Sequence, residues 1–166
     1  MRIENFSDIY NVRRLSGENA DEIYQLCLGN PLFYQHCPPA VTVDSIKDDL
    51  AKLPPGKTLS DKYYVGFYEN ERLTAVMDII DGYPDSRTAF IGFFMMEKSE
   101  QNKGTGSRII SDLCACLRAE GYQSVRLVWA KGNPQAEHFW TKNYFVRLKE
   151  TISTAGNQVI LAERIL

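Results

Sequence analysis

Apolar and polar residues follow two different periods along this chain. Over residues 107–120, Ile109, Ile110, Leu113, Cys116 and Leu117 recur at helical spacing, with Arg108, Ser111, Asp112, Arg118 and Glu120 off that face. The spacing predicts an amphipathic helix that Gly121 ends. Residues 18–29 repeat the pattern through Ile23, Leu26 and Cys27, with Gly29 as the stop. Ile46, Leu50 and Leu53 carry it through a further helix capped by Thr42 or Asp44. A short helix is expected over 133–143, with Asn133 as cap and Pro134 in its first position.

Elsewhere the period drops to two. KYYVGFYE and RLTAVMDIIDGY flank an Asn-Glu pair and predict a hairpin. TAFIGFFMM is almost wholly apolar, as a strand covered on both faces would be. SVRLVWA alternates with Val125, Leu127 and Trp129 on one face, and further strands fall near 10–16, 144–152 and 157–164. Residues 30–42, NPLFYQHCPPAVT, read as a loop rich in proline and aromatics. The resulting order, β-α-α-β-β-β-α-β-α-β-β, predicts an α/β fold with a mixed sheet and helices on both faces. Strands 89–96 and 124–130 should be parallel, because a helix joins them as a right-handed crossover.

Composition narrows the function classes. At 166 residues the chain is expected to form one domain, residues 1–166. A net charge of −2, with no strip of basic and aromatic residues, argues against nucleic acid as a partner. Cys27, Cys37, Cys114 and Cys116 show no C-x-x-C and no zinc spacing to His36 or His138, so free thiols and no metal are expected. The longest apolar run, AFIGFFMM, is too short to span a bilayer, and the N-terminus lacks the apolar core of a signal peptide. These features predict a cytoplasmic protein with no membrane contact.

The chemistry concentrates in QNKGTGS, residues 101–107, between an apolar strand and the clearest helix. Gly104 and Gly106 fit a plain strand-to-helix turn, where glycine supplies φ. They equally fit an anion cradle, where small residues let backbone N–H groups and the helix dipole reach a phosphate. The run matches neither a G-x-x-x-x-G-K-[ST] loop nor a G-x-G-x-x-G fingerprint, since position 109 is Ile109.

QNKGTGS resembles the Q/R-x-x-G-x-G/A signature of the GNAT superfamily of N-acetyltransferases. The flanking segment FFMMEKSEQNKGTGSRIISDLCACLRAEGYQSVRL and the later NPQAEHFWTKNYF are also similar to that family, in the family's order and spacing. The resemblance covers essentially the whole chain and implies acetyl-CoA as cofactor. It implies that backbone N–H groups of Gln101, Asn102, Lys103, Gly104, Thr105, Gly106 and Ser107 hold the pyrophosphate. It places Phe94, Met95 and Met96 beside the pantetheine amides, with Asn133 and Trp140 on the cofactor arm. A homodimer is common in the family.

For acyl transfer to an amine, a base should remove a proton from the ammonium. The carboxylates expected near the cleft are Asp78, Asp81 and Glu97, with Glu97 preferred as base because its strand lies beside the thioester. The family often carries a tyrosine after the aromatic of the last helix as proton donor; here that position is Trp140. Tyr144, four residues on, takes the role if the helix continues that far. For the acceptor, Phe33, Tyr34, Asp78, Asp81 and Tyr83 are the expected contacts. The implied activity is N-acetylation of a small-molecule or peptide amine, and the alternative is a non-catalytic acyl-CoA-binding module of the same fold.

Overall fold

A computed structural model describes residues 1–166. Its strands are β1 (Asn11–Arg14), β2 (Lys62–Glu69), β3 (Arg72–Ile80), β4 (Thr88–Met96), β5 (Ser124–Ala130), β6 (Val146–Ile152) and β7 (Gln158–Ile165). Its α-helices are α1 (Ala20–Leu28), α2 (Pro31–His36), α3 (Val43–Ala51), α4 (Thr105–Ala119) and α5 (Pro134–Lys142). One seven-stranded sheet forms in the order β1-β2-β3-β4-β5-β7-β6. β4 and β5 are parallel, as the helix between them requires, and all other neighbours are antiparallel.

Side-chain alternation along β3 separates two cores. Ala75, Met77 and Ile79 face one side, where Ile109, Ile110, Leu113 and Leu117 of α4 cover them. Val76 faces the other, joined by Leu73 because Thr74 is an extra residue in the β2–β3 register, and both pack with Ile23, Leu26 and Cys27 of α1 and Ile46 of α3. Helices therefore lie on both faces of a mixed sheet, and the apolar stripe read from the sequence is the buried face of α4.

The local signals work as their chemistry requires. Asn70 and Glu71 both take positive φ, 47° and 64°, the geometry whose twist suits a two-residue hairpin. Gly121 closes α4 at φ 93°: its N–H donates to the Arg118 carbonyl, and that of Tyr122 to the Leu117 carbonyl. Thr42, rather than Asp44, caps α3, exchanging hydrogen bonds with Ser45.

Two expectations need correction. Residues 31–36 are helical, not loop, because Pro31 sits at the first helical position, where its missing N–H has no partner to lose and its fixed φ starts the turn. α3 stops at Ala51, short of Leu53, because Leu53 precedes a proline and Lys52 has already turned to extended backbone. The last two strands also add out of chain order. β7 inserts beside β5, which leaves β6 at the sheet edge.

Candidate active site

β4 and β5 pair only where they begin. Their ladder runs from Thr88↔Ser124 to Ile91↔Leu127 and stops, although both strands continue. The β3–β4 register shifts between Asp78 and Ile79, with Gly92 as the extra residue, and such a bulge bends its strand. Beyond it, the Glu97 N–H donates to the Thr74 carbonyl at 2.8 Å. The alternation of an antiparallel ladder then turns the backbone groups of Phe94 and Met96 away from β3 and into the opening. Side chains of Asn30 and Gln101 take the Met96 carbonyl at 3.0 and 3.2 Å. The N–H and C=O of Phe94 face the opening without a strand partner.

The glycine loop meets the same opening. Gly104 is the N-cap of α4 at φ 84°, and no side chain caps that helix. No backbone N–H from residue 102 to 107 donates a hydrogen bond within the chain. Free donors therefore gather at the positive end of a helix of 15 residues. The loop is braced from below: Thr105 Oγ1 donates to the Glu100 carbonyl at 2.9 Å, and Gln101 Nε2 donates to Asn30 Oδ1 as well as to Met96. Lys103 lies 3.5 Å from Glu100.

The two glycines do different work. A Cβ on Gly104 would meet nothing within 4 Å, so its requirement is conformational. A Cβ on Gly106 would stand 3.2 Å from the Phe139 ring and 3.6 Å from Met96. Gly106 thus lets α4 pack against α5 and β4, and its missing side chain faces protein instead of the anion side.

An aromatic cluster floors the opening. Phe94 stacks on Phe139 at 5.8 Å, and Trp140 lies 4.9 Å from Phe139 and 5.2 Å from Phe145. Trp140 is buried in the main core, so it supports the floor from beneath. Asn133 accepts from the Ala136 N–H at 3.1 Å as N-cap of α5, and its amide nitrogen donates to no group in the chain. α5 ends at Lys142, so the helix that was to carry Tyr144 does not reach it. Tyr144 takes φ 66°, is 75% exposed and lies against Arg164 at 5.4 Å. Its hydroxyl does not share the Trp140 face.

On the α1–α3 side the structure gathers Phe33, Tyr34 and Asp78. The Phe33 ring is 5.0 Å from Tyr34 and 5.5 Å from Phe93, and Phe93 stands directly across from Asp78. Tyr83 packs on Phe90 at 5.6 Å. Asp81 is drawn elsewhere, accepting a short hydrogen bond from the Tyr122 hydroxyl. Glu97 is also occupied. It caps a 3-10 turn over residues 98–100, and its bonds from Ser99, followed by Arg72, hold its carboxyl below the usual carboxylate range. A depressed carboxylate is a weak base, which counts against Glu97 in that role although it still directly follows β4.

Three participants escaped the sequence reading. Gly92 inside an apolar run was a legible bulge signal. Asn30, and Lys62, whose Nζ donates to Asp78 Oδ2 at 2.7 Å, gave no local signal, because these partners lie far away along the chain.

A sequence model of the acetyltransferase (GNAT) family matches residues 22–145. The chain belongs to that family. No curated protein matches it as a sequence relative. Among solved structures, an acetyltransferase from Thermus thermophilus is similar at TM-score 0.75 and 17% identity, covering 93% of this chain and 96% of that one. The PaiA N-acetyltransferase from Thermoplasma acidophilum, in complex with coenzyme A, is similar at TM-score 0.67 and 16% identity, covering 93% and 98%. RimL, a ribosomal L7/L12 alpha-N-protein acetyltransferase in complex with coenzyme A, is similar at TM-score 0.71 and 14% identity, covering 97% and 96%. At these identities the likeness concerns the fold. Membership of the GNAT family makes the chain an acyltransferase. No helix in it is long and apolar enough to cross a membrane.

Proposed function

We propose that the whole chain is one acetyl-CoA-dependent N-acetyltransferase domain acting on a primary amine of a small molecule or peptide. One observation carries the reading: the strand opening at Phe94–Met96 runs into the uncapped N-terminus of α4, where residues 102–107 offer only unused backbone donors. The pairing suits acetyl-CoA, whose arm carries amides and whose pyrophosphate carries negative charge. Gly104 leaves open space at the donors, and Asn133 keeps a free amide nitrogen beside the end of β5. Two of the similar structures hold coenzyme A.

When bound, acetyl-CoA supplies a thioester carbonyl open to attack by an amine nitrogen. The residues of this chain do the rest. Backbone donors of 102–107 fix the anionic end, Phe94 holds the arm against the aromatic floor, and Phe33, Tyr34 and Phe93 wall the acceptor side.

The test is release of CoA from acetyl-CoA in the presence of an amine panel: aminoglycosides, polyamines, amino acids and peptides with free N-termini. Acceptor-dependent release is the expected result. Acetyl-CoA binding without release by any class would make the chain a binding module.

A further inference from the structure

A cavity of about 360 Å³ opens beside α3 and the start of β2, and none of its lining residues belongs to β4, β5, α4 or α5, which form the acetyl-CoA opening. Local periods assemble its wall. Lys47, Leu50 and Ala51 stand at i, i+3 and i+4 on α3, and Lys62 and Tyr64 at i and i+2 on β2. Leu15, just past β1, and Leu59, just before β2, complete the apolar part. Small-molecule sites run from about 300 to 1,000 Å³, so this cavity suits a small ligand.

The charge on that wall has one sign. Arg14, Lys47 and Lys62 line the cavity, and no carboxylate does. Asp48 and Asp49 fall off the α3 face that carries Lys47. Lys62 is buried, and its Nζ donates to Asp78 Oδ2 at 2.7 Å and to the Lys52 carbonyl at 3.0 Å, which leaves one N–H of the ammonium unused. That ion pair is the only one the lining residues make. Arg14 is held by donation from Nη1 to the Lys62 carbonyl at 3.1 Å and by its place over the Tyr63 ring, 4.5 Å from the centroid. Its other N–H groups and the Lys47 ammonium have no partner in the chain.

We propose that this cavity binds a small carboxylate with an apolar body, a ligand distinct from both the acyl donor and the amine acceptor. Arg14, Lys47 and the unused N–H of Lys62 take its charge, and Leu15, Leu50 and Leu59 take its hydrocarbon. A planar carboxylate matches the fork of an arginine. Its apolar body gains by leaving water, whereas a free phosphate engages the cations and gains nothing from the apolar wall. An amine would meet three positive side chains with no counter-charge among them. The lining shares no residue with the α4 loop, so occupancy is independent of acetyl-CoA and of any acetyl transfer.

Hexanoate is the probe, compared with hexanol, hexylamine and inorganic phosphate, each titrated into the protein and followed by amide NMR with and without acetyl-CoA. Hexanoate should give saturable shifts at residues 14–17, 47–51 and 62–64, with an affinity that acetyl-CoA changes by less than about twofold. Hexanol and hexylamine should bind at least about tenfold more weakly. Lys47→Glu reverses a charge at the rim and Ala51→Trp fills apolar space; both positions are exposed, and each variant should weaken hexanoate roughly tenfold or more. The two act at different points, so either one decides if the other fails to fold. Hexanol binding as well as hexanoate, or phosphate binding more tightly, would overturn the ligand class. Hexanoate shifts that do not saturate, that lie elsewhere, that survive substitution, or that acetyl-CoA abolishes would overturn the site.

Discussion

Tyr144 shows how a single residue departs from its sequence spacing. Four positions after Trp140, it would share that residue's face on a continuing helix. The chain instead closes α5 by donating the Tyr144 N–H to Thr141 and the Phe145 N–H to Trp140, with Tyr144 in the left-handed position usually held by glycine. A tyrosine there gives no warning in the sequence, because the closure is decided by Phe145 packing into the core. Tyr144→Phe is expected to leave kcat within about twofold of wild type, far from the roughly 10²-fold loss of a missing general acid. Steady-state CoA release measures it directly. Glu97 teaches the same lesson. Its position at the strand end was legible, but its bond to Ser99 depends on a turn that only the folded chain reveals.

At the scale of elements, the helices and strands with strong periodicity were readable because their signals are local. The α4 face, the Asn133 cap, the β2–β3 hairpin and the glycine loop all follow from residues a few positions apart. The bulge was legible too, from Gly92 inside an apolar run, but the brace beneath the loop is not local. Asn30, at the α1–α2 junction, donates to the Met96 carbonyl and to that of Leu26, and accepts from Gln101. It ties the acceptor-side helices to the end of β4 and to the first residue of the anion loop. Asn30→Ala leaves the Met96 carbonyl and Gln101 with fewer partners, so a loss of about 1–3 kcal/mol in stability is expected. The same variant should weaken acetyl-CoA binding several-fold, because the loop loses its brace. Equilibrium unfolding and calorimetry read the two effects separately. Unchanged affinity would show the loop to be rigid without Asn30.

The whole molecule distributes its charge so that surface and interior respond oppositely to acid. Hydrogen bonds and ion pairs lower the carboxyls of Glu97, through Ser99, and Glu100, through Arg72. Glu150, through Lys131, behaves likewise. A carboxyl lowered on folding contributes stability above its unfolded value, about 4, and loses it as pH falls through the folded value. Burial raises Asp49 and Asp78 instead, so their contribution is largest in acid and declines as pH rises through their folded values. Arg72→Ala should therefore move acid unfolding to higher pH, as followed by circular dichroism, because Glu100 and Glu97 lose the cation that favours their charged forms. An unmoved midpoint would show that Arg72 only decorates the surface. Strand order is the global feature least legible in the sequence, since β7 reaches β5 across a turn that would equally allow β6 to pair first.

The central claim is that the β4–β5 opening and the N-terminus of α4 form one acetyl-CoA site, and thermal unfolding with acetyl-CoA, CoA, ATP and NAD in parallel tests it most directly. A ligand at about 100 times its dissociation constant stabilises by about 2.7 kcal/mol. For a chain of this length that raises the midpoint by several degrees, at roughly 2–4 °C per kcal/mol. A rise with acetyl-CoA and CoA but with neither ATP nor NAD is the expected result. A rise with ATP or NAD alone would contradict the account and make QNKGTGS a phosphate loop of another kind.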